Sequence, residues 1–90
     1  MIGGFLMPEL SKFYGITIRL YLEEKEHNPP HVHAKYGSSA ATVNVKNGEI
    51  LSGSLPPNAR NLVKKWVLLH SGEIENIWET QEFRKIKPLE

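Results

Sequence analysis

Three of the chain's four histidines lie within seven residues, in the segment HNPPHVHAKYG of residues 27–37. His31 and His33 stand two positions apart, and Lys35 follows two positions later. Alternate side chains of an extended strand share a face, so these three groups would project together about 6–7 Å apart. Two imidazoles that titrate near neutral pH can exchange protons with a substrate, and an ammonium group can stabilise a negative charge. The spacing therefore predicts a small polar site on one strand.

One interpretation of this site is phosphoryl chemistry without a metal. Cleavage of RNA through its 2′-hydroxyl needs a base, an acid and a cation for the phosphate, and we predict His31, His33 and Lys35 in these catalytic roles. Substrate binding would extend beyond them. Arg60 and Lys64 on a following helix would contact the RNA backbone, and Tyr21 would stack on a base.

A second interpretation is a metal site. His31 and His33, with His27 or His70, would supply imidazole ligands for zinc or another transition metal. Lys35 argues against this site because it would place a positive charge beside the ion, and residues 27–37 contain no carboxylate ligand. We therefore predict that no cofactor is needed and keep zinc as the alternative. A third interpretation is structural, in which the rings bond loop carbonyls or fill the core.

Composition limits the class of protein. Ninety residues with 40% hydrophobic and 23% charged side chains are typical of one globular domain. A net charge of +1 gives no strong overall field towards nucleic acid or membrane, and the lack of cysteine excludes thiolate chemistry. No apolar run approaches the about 18 residues of a membrane helix, and the N-terminus lacks the basic region of a signal peptide. We therefore expect a cytoplasmic protein without a membrane partner.

The elements that must position the histidines are strands. Apolar residues alternate with polar ones in YGITIRLYLEE, which predicts a first strand, and HVHAKY predicts a second. ATVNVKNGEILSGSL predicts a hairpin that turns at Asn47-Gly48. A three-residue loop with Gly48 in a left-handed conformation would bring the four apolar side chains of the hairpin to one face. These side chains are Val43, Val45, Leu51 and Leu55.

Two helices follow the strands. Pro56 and Pro57 suit a first helical turn, and apolar residues then recur at spacings of three and four. Ser71 can cap a second helix with Arg84 and Lys85 in its last turn. The fold class is therefore predicted as α+β, with an antiparallel sheet of about four strands followed by two C-terminal helices packed on one face. This domain covers residues 7–90, and residues 1–6 form a loosely ordered extension.

Several segments together resemble a known family. PELSKFYGITIRLY, EHNPPHVHAKYG, GSLPPNARNLVKKW, LLH and the closing IKPL are similar to the small bacterial proteins of domain-of-unknown-function family DUF4160. The similarity runs from about Met7 to Leu89. Its most specific block is PPHVHAKYG, where Val32 stands in place of the aromatic residue usual in the family. The resemblance implies matches to motif positions at His27, Pro30, His31, His33, Tyr36 and His70.

The resemblance also implies a biological setting. Members are typically encoded beside a second small protein, in an arrangement similar to a toxin–antitoxin pair. We therefore predict a toxin-like protein that cleaves or binds RNA and has a small antitoxin-like partner. The alternative is a non-catalytic binding module, with or without a metal, that acts through a protein partner.

Overall fold

An antiparallel sheet of five strands, followed by two helices, makes up the computed structural model, which describes residues 7–20 and 29–89. The strands are β1 (Glu9–Phe13), β2 (Ile16–Arg19), β3 (His31–Tyr36), β4 (Ser39–Asn44) and β5 (Ile50–Gly53). The helices are α1 (Pro57–Leu69) and α2 (Ser71–Thr80). Each strand lies beside its neighbour in the chain, so the order in the sheet is β1-β2-β3-β4-β5. The predicted α+β class is confirmed, with one strand more than predicted. The proposed extension of residues 1–6 lies outside the described residues.

β1 is the strand that the sequence pattern did not reveal. Leu10 and Ser11 are consecutive and both buried, because the register against β2 shifts between Glu9 and Ser11. Such a β-bulge breaks the period of two by which strands are recognised. Tyr14 and Gly15, which were assigned to the start of a strand, instead form the turn to β2. Both have positive φ, as a two-residue hairpin turn of this hand requires.

The connection from β4 to β5 confirms the conformation predicted for one glycine but not the predicted register. Gly48 is left-handed, with φ of +74°, and its N–H donates to the carbonyl of Asn44 at 2.7 Å. A second bulge makes Leu51 an extra residue in β5. Its side chain is therefore 48% exposed, and the prediction that it lies on the buried face is wrong. The other apolar side chains of the hairpin are buried, namely Val43, Val45 and Leu55.

The core lies between one face of the sheet and the two helices. The sheet contributes small and β-branched side chains from its three central strands, and the helices contribute both tryptophans. The members from the central strands are Ile16, Ile18, Val32, Ala34, Ala41 and Val43. Because successive side chains of a strand alternate, the residues between them point to the opposite, helix-free face.

The chain after α2 runs along the outer side of β1. α2 ends at Thr80 rather than near Lys85, because Gln81 takes a left-handed conformation and closes the helix by donating its N–H to Ile77. The C-terminal segment, residues 81–89, is irregular. The N–H of Ile86 donates to the carbonyl of Leu10 at 2.9 Å. Neither helix in the described part of the chain is long and apolar enough to cross a membrane.

Candidate functional site

The helix-free face of the sheet carries a hollow of about 450 Å³. We call it the sheet hollow. Its polar lining side chains come from four neighbouring strands and are Thr17, Arg19, His33, Lys35, Thr42 and Ser52. Met7 and the alanines of β3 and β4 complete the lining. The hollow therefore combines two cations, one imidazole and three hydroxyl groups.

The strand register brings these groups together. Arg19 lies directly opposite His33, and Thr17 lies opposite Lys35. On the other side of β3, His33 lies opposite Thr42. Directly opposed side chains have Cβ atoms about 4.5–5.5 Å apart. The imidazole of His33 is consequently flanked by a guanidinium group and a hydroxyl group.

The two cations of the sheet hollow are held chiefly by neutral groups. Arg19 donates from Nη1 to the carbonyl of Met7 at 3.1 Å, and Lys35 donates from Nζ to the carbonyl of Gly37 at 2.8 Å. The nearest carboxylate, that of Glu9, is 3.9 Å from Nη2 of Arg19. A guanidinium group has five N–H donors and an ammonium group has three, so both side chains retain donors for an anion.

His31 is packed inside the protein. Only 6% of the residue is exposed, and its Nδ1 donates to the carbonyl of Pro29 at 2.9 Å. Its ring stands edge-on to the indole of Trp78, with centroids 5.0 Å apart, and edge-on to the ring of His33 at 5.3 Å. A carbonyl only accepts hydrogen bonds, so Nδ1 carries a proton. The ring of His31 is therefore held by the Pro29 carbonyl and by two neighbouring rings.

His33 lies between the packed ring of His31 and the sheet hollow. The residue is half-buried and lines the hollow, while its Nε2 atom is shielded from solvent. The structure thus brings the rings of His31 and His33 together, but of the three predicted residues only His33 and Lys35 line the hollow. The catalytic roles assigned to the three residues stay a prediction.

Arg60 and Lys64 lie in a different part of the molecule from the sheet hollow. Together with Glu49, Asn61 and neighbouring loop residues they line a second hollow of about 370 Å³ between α1 and the start of β5, which we call the helix groove. Nζ of Lys64 donates to the carboxylate of Glu49 at 2.8 Å. This hydrogen bond and the charge of Lys64, with a smaller contribution from Arg60, hold the pKa of Glu49 below its ordinary value of 4.5. No residue lines both hollows, so the structure does not join Arg60 and Lys64 to the strand site.

The remaining predicted residues are His70, Tyr21 and His27. His70 joins the two helices, with its Nδ1 bonded to the carboxylate of Glu73 and its ring 5.2 Å from that of Trp66. Tyr21 and His27 lie outside the described residues. Within residues 7–20 and 29–89, no three His, Cys, Asp or Glu side chains are placed to hold one metal ion. The zinc alternative, which includes His27, stays a prediction.

Sequence reasoning missed Arg19 as a site residue. It alternates with buried isoleucines, which places it on the polar side of β2, but this pattern alone does not say what lies opposite. Only the pairing of β2 with β3 brings Arg19 beside His33. The same holds for Thr42 and Ser52, which reach the hollow through β4 and β5.

Comparison with known proteins gives one finding. The model of a family described as a domain of unknown function, DUF4160, matches residues 15–79, which run from the start of β2 to the end of α2. The matched range contains all six polar residues of the sheet hollow. Neither a curated protein nor a solved structure matches the chain.

Proposed function

Because the chain belongs to the DUF4160 family, whose description names no activity, we propose a function from the site itself: the protein binds single-stranded RNA on the helix-free face of its sheet. In this proposal Arg19 and Lys35 contact phosphates, and His33 lies between them. The protein would act as the toxin-like member of a toxin–antitoxin pair, beside a small cognate partner.

The observation that supports RNA binding is the convergence of Arg19, His33 and Lys35 on one hollow. Phosphate contacts from arginine and lysine supply most of the affinity in nucleic-acid complexes. Both cations donate to carbonyl oxygens, and Glu9 offsets only the charge of Arg19, at 3.9 Å, so positive charge remains for a phosphate. The hydroxyl groups of Thr17, Thr42 and Ser52 offer hydrogen bonds to sugar and phosphate oxygens.

The size of the hollow favours a single strand over a duplex. Its volume of about 450 Å³ falls within the roughly 300–1,000 Å³ of small-molecule sites. A recess of this kind suits one splayed nucleotide, and single-stranded RNA exposes its bases and phosphates in this way.

The geometry around His31 favours binding over cleavage. A general acid or base must come within about 2.6–3.2 Å of the proton it transfers. Nδ1 of His31 is already bonded to Pro29, and the residue is buried. Cleavage with His31 and His33 as acid and base is the alternative form of the proposal. It would require His31 to leave the Pro29 carbonyl and reach the hollow.

Fluorescence anisotropy with a labelled oligouridylate tests RNA binding. Because a hydrogen bond to a charged group contributes about 1.5–3 kcal/mol, Arg19→Gln with Lys35→Gln should weaken binding by about tenfold or more and reduce its salt dependence. The control is Arg60→Gln with Lys64→Gln, which removes the same charge from the helix groove and should change affinity less than about twofold. Equal losses in the two double variants would show nonspecific attraction, and absence of binding by the unmodified chain would refute the proposal.

Recovery of the RNA distinguishes binding from cleavage. Under the binding proposal the oligonucleotide runs intact on a denaturing gel after incubation. Products ending in a 2′,3′-cyclic phosphate that disappear in His31→Gln would instead establish the cleavage form. Growth arrest on induced expression, relieved by the Arg19 and Lys35 substitutions together, tests the toxin-like role. Arrest that persists in that variant would separate toxicity from the sheet hollow.

A further inference from the structure

The two edge strands of the sheet, β1 and β5, differ in how their outer sides are covered. β1 is covered by the C-terminal segment, through the bond from Ile86 to Leu10. An ion pair of 3.7 Å between Lys85 and Glu9 adds to this cover. β1 also contains a bulge and two charged residues, Glu9 and Lys12. Bulges, charges and covering segments are the devices by which proteins prevent other strands from pairing with a sheet edge.

β5 also contains a bulge, at Leu51, but it lacks the charged residues and the covering segment that protect β1. In the described part of the chain it pairs only with β4, and no other backbone bond reaches residues 50–53. Its sequence, ILSG, contains no charge and no proline. Leu51, Ser52 and Gly53 are exposed. An uncovered and uncharged edge strand presents free N–H and C=O groups to another chain.

Positively charged side chains of α1 lie beside this edge. The turn before β5 lies directly on α1, since a Cβ at Gly48 would come 2.7 Å from Cγ of Lys64. Arg60 and Lys64 therefore flank Ile50, the first residue of β5, across the helix groove. Glu49 neutralises Lys64. The guanidinium group of Arg60 forms no hydrogen bond or ion pair with any residue that the structure describes, and Glu49 is the one carboxylate among the groove residues, so the groove keeps a net positive charge.

We propose that the β5 edge and the helix groove bind an extended acidic segment of a partner protein. The segment adds a strand to β5 through main-chain hydrogen bonds and places a carboxylate against Arg60. Strand addition provides affinity, and the neighbouring groove provides specificity. A guanidinium group binds a carboxylate through two parallel hydrogen bonds. The helix groove shares no residue with the sheet hollow, and of β5 only Ser52 lines that hollow, so the proposal does not depend on RNA binding.

The charges of the groove distinguish a partner from a second copy. Two identical chains joined antiparallel through β5 would be related by a two-fold axis perpendicular to the sheet. Both α1 helices would then lie on the same face, with Arg60 and Lys64 of one copy facing those of the other. Like charges set opposite each other disfavour association. An acidic segment instead supplies the missing negative charge.

Selection from a displayed library of random octapeptides on the full chain tests the proposal. We expect the enriched peptides to be rich in Asp, Glu and β-branched residues. An enriched peptide should lose about tenfold affinity or more for Arg60→Gln, the loss expected for one charge-assisted hydrogen bond. It should change less than about twofold for Lys65→Gln, which removes an exposed charge from α1 outside the groove. A version methylated on alternate amide nitrogens should not bind, because it cannot pair with β5.

Four outcomes would overturn the proposal. The first three are enrichment of neutral or basic peptides only, equal losses with Arg60→Gln and Lys65→Gln, and amide shifts in ¹⁵N–¹H spectra that fall at Arg19, His33 and Lys35 rather than at residues 50–51 and 60–61. A concentration-dependent dimer whose contacts map to β5 would also overturn it, by assigning the edge to a second copy. Circular dichroism of both variants confirms that they fold.

Discussion

The edges at β1 and β5 belong to one sheet, yet they contribute differently to the molecule. At β1 the covering segment is part of the core, since Ile86 is 4% exposed and the indole N–H of Trp66 donates to the carbonyl of Lys87 at 2.9 Å. At β5 the side chain of Leu51 is 48% exposed. The comparison shows that residues at the covered edge contribute to the stability of the fold, whereas residues at the open edge can be substituted with little loss of stability. The open edge is therefore where a binding surface can be accommodated.

The largest expected effect is at the covered edge. Ile86→Ala should lower the free energy of unfolding by about 3 kcal/mol, because it leaves a cavity where the C-terminal segment enters the core. Leu51→Ala, the matched change at the open edge, should cost less than about 0.5 kcal/mol. Urea denaturation of both variants gives the two values. Similar losses at the two positions would remove the distinction between the edges.

A smaller effect should come from the glycine that ends the open edge strand. Gly53 has φ of +78°, and a Cβ there would lie 2.3 Å from the carbonyl oxygen of Ala40. Gly53→Ala should therefore cost about 2 kcal/mol from backbone strain and the forced displacement of β4. Gly37 also has positive φ, but a Cβ there would meet no atom within 4 Å, so Gly37→Ala should cost about 1 kcal/mol. If thermal unfolding ranks the two alanine variants in the opposite order, β5 is not held in the described position.

The smallest effect is a change in pH dependence beside the open edge. The pKa of Glu49 is lowered in the folded protein, so its ion pair stabilises the fold above the ordinary value of 4.5 and ceases to do so as the pH falls through the lowered pKa. Glu49→Gln should therefore reduce the amount of stability that the protein loses as the pH falls over that interval. Glu82→Gln, an exposed control without an ion pair in the described structure, should leave the curve unchanged. Denaturant titrations between pH 3 and 6 measure both curves, and parallel curves for unmodified chain and Glu49→Gln would contradict the expectation.

Local periodicity predicted most of the fold. Alternation located β2 and β3, and spacings of three and four located both helices, because these strands and helices bury one regular side. Irregular backbone caused the errors. The bulge beside Leu10 interrupted the alternation by which β1 could have been recognised. The bulge at Leu51 turned that side chain away from the buried face on which it was predicted. The end of α2 was also not predicted, because Gln81 takes a left-handed conformation that its residue type does not favour.

The site could be predicted only as far as a single strand determines it. A period of two places His31, His33 and Lys35 on one side of β3. The burial of His31 depends on Trp78, which belongs to a helix distant in sequence. The presence of Arg19 depends on the register between two strands, which no local pattern specifies.

The bond from Ile86 to Leu10 also has a consequence for the order of folding. Strands that pair with their neighbours in sequence form contacts across short loops, and closing a short loop costs little entropy. The contact between Ile86 and Leu10 instead joins opposite ends of the described chain, so its formation has a high entropic cost. It should form after the sheet. During synthesis by the ribosome, the outer side of β1 is thus uncovered until residue 86 emerges. Because an uncovered strand edge can pair with another chain, the nascent protein should be most prone to aggregation before its C-terminal segment is made.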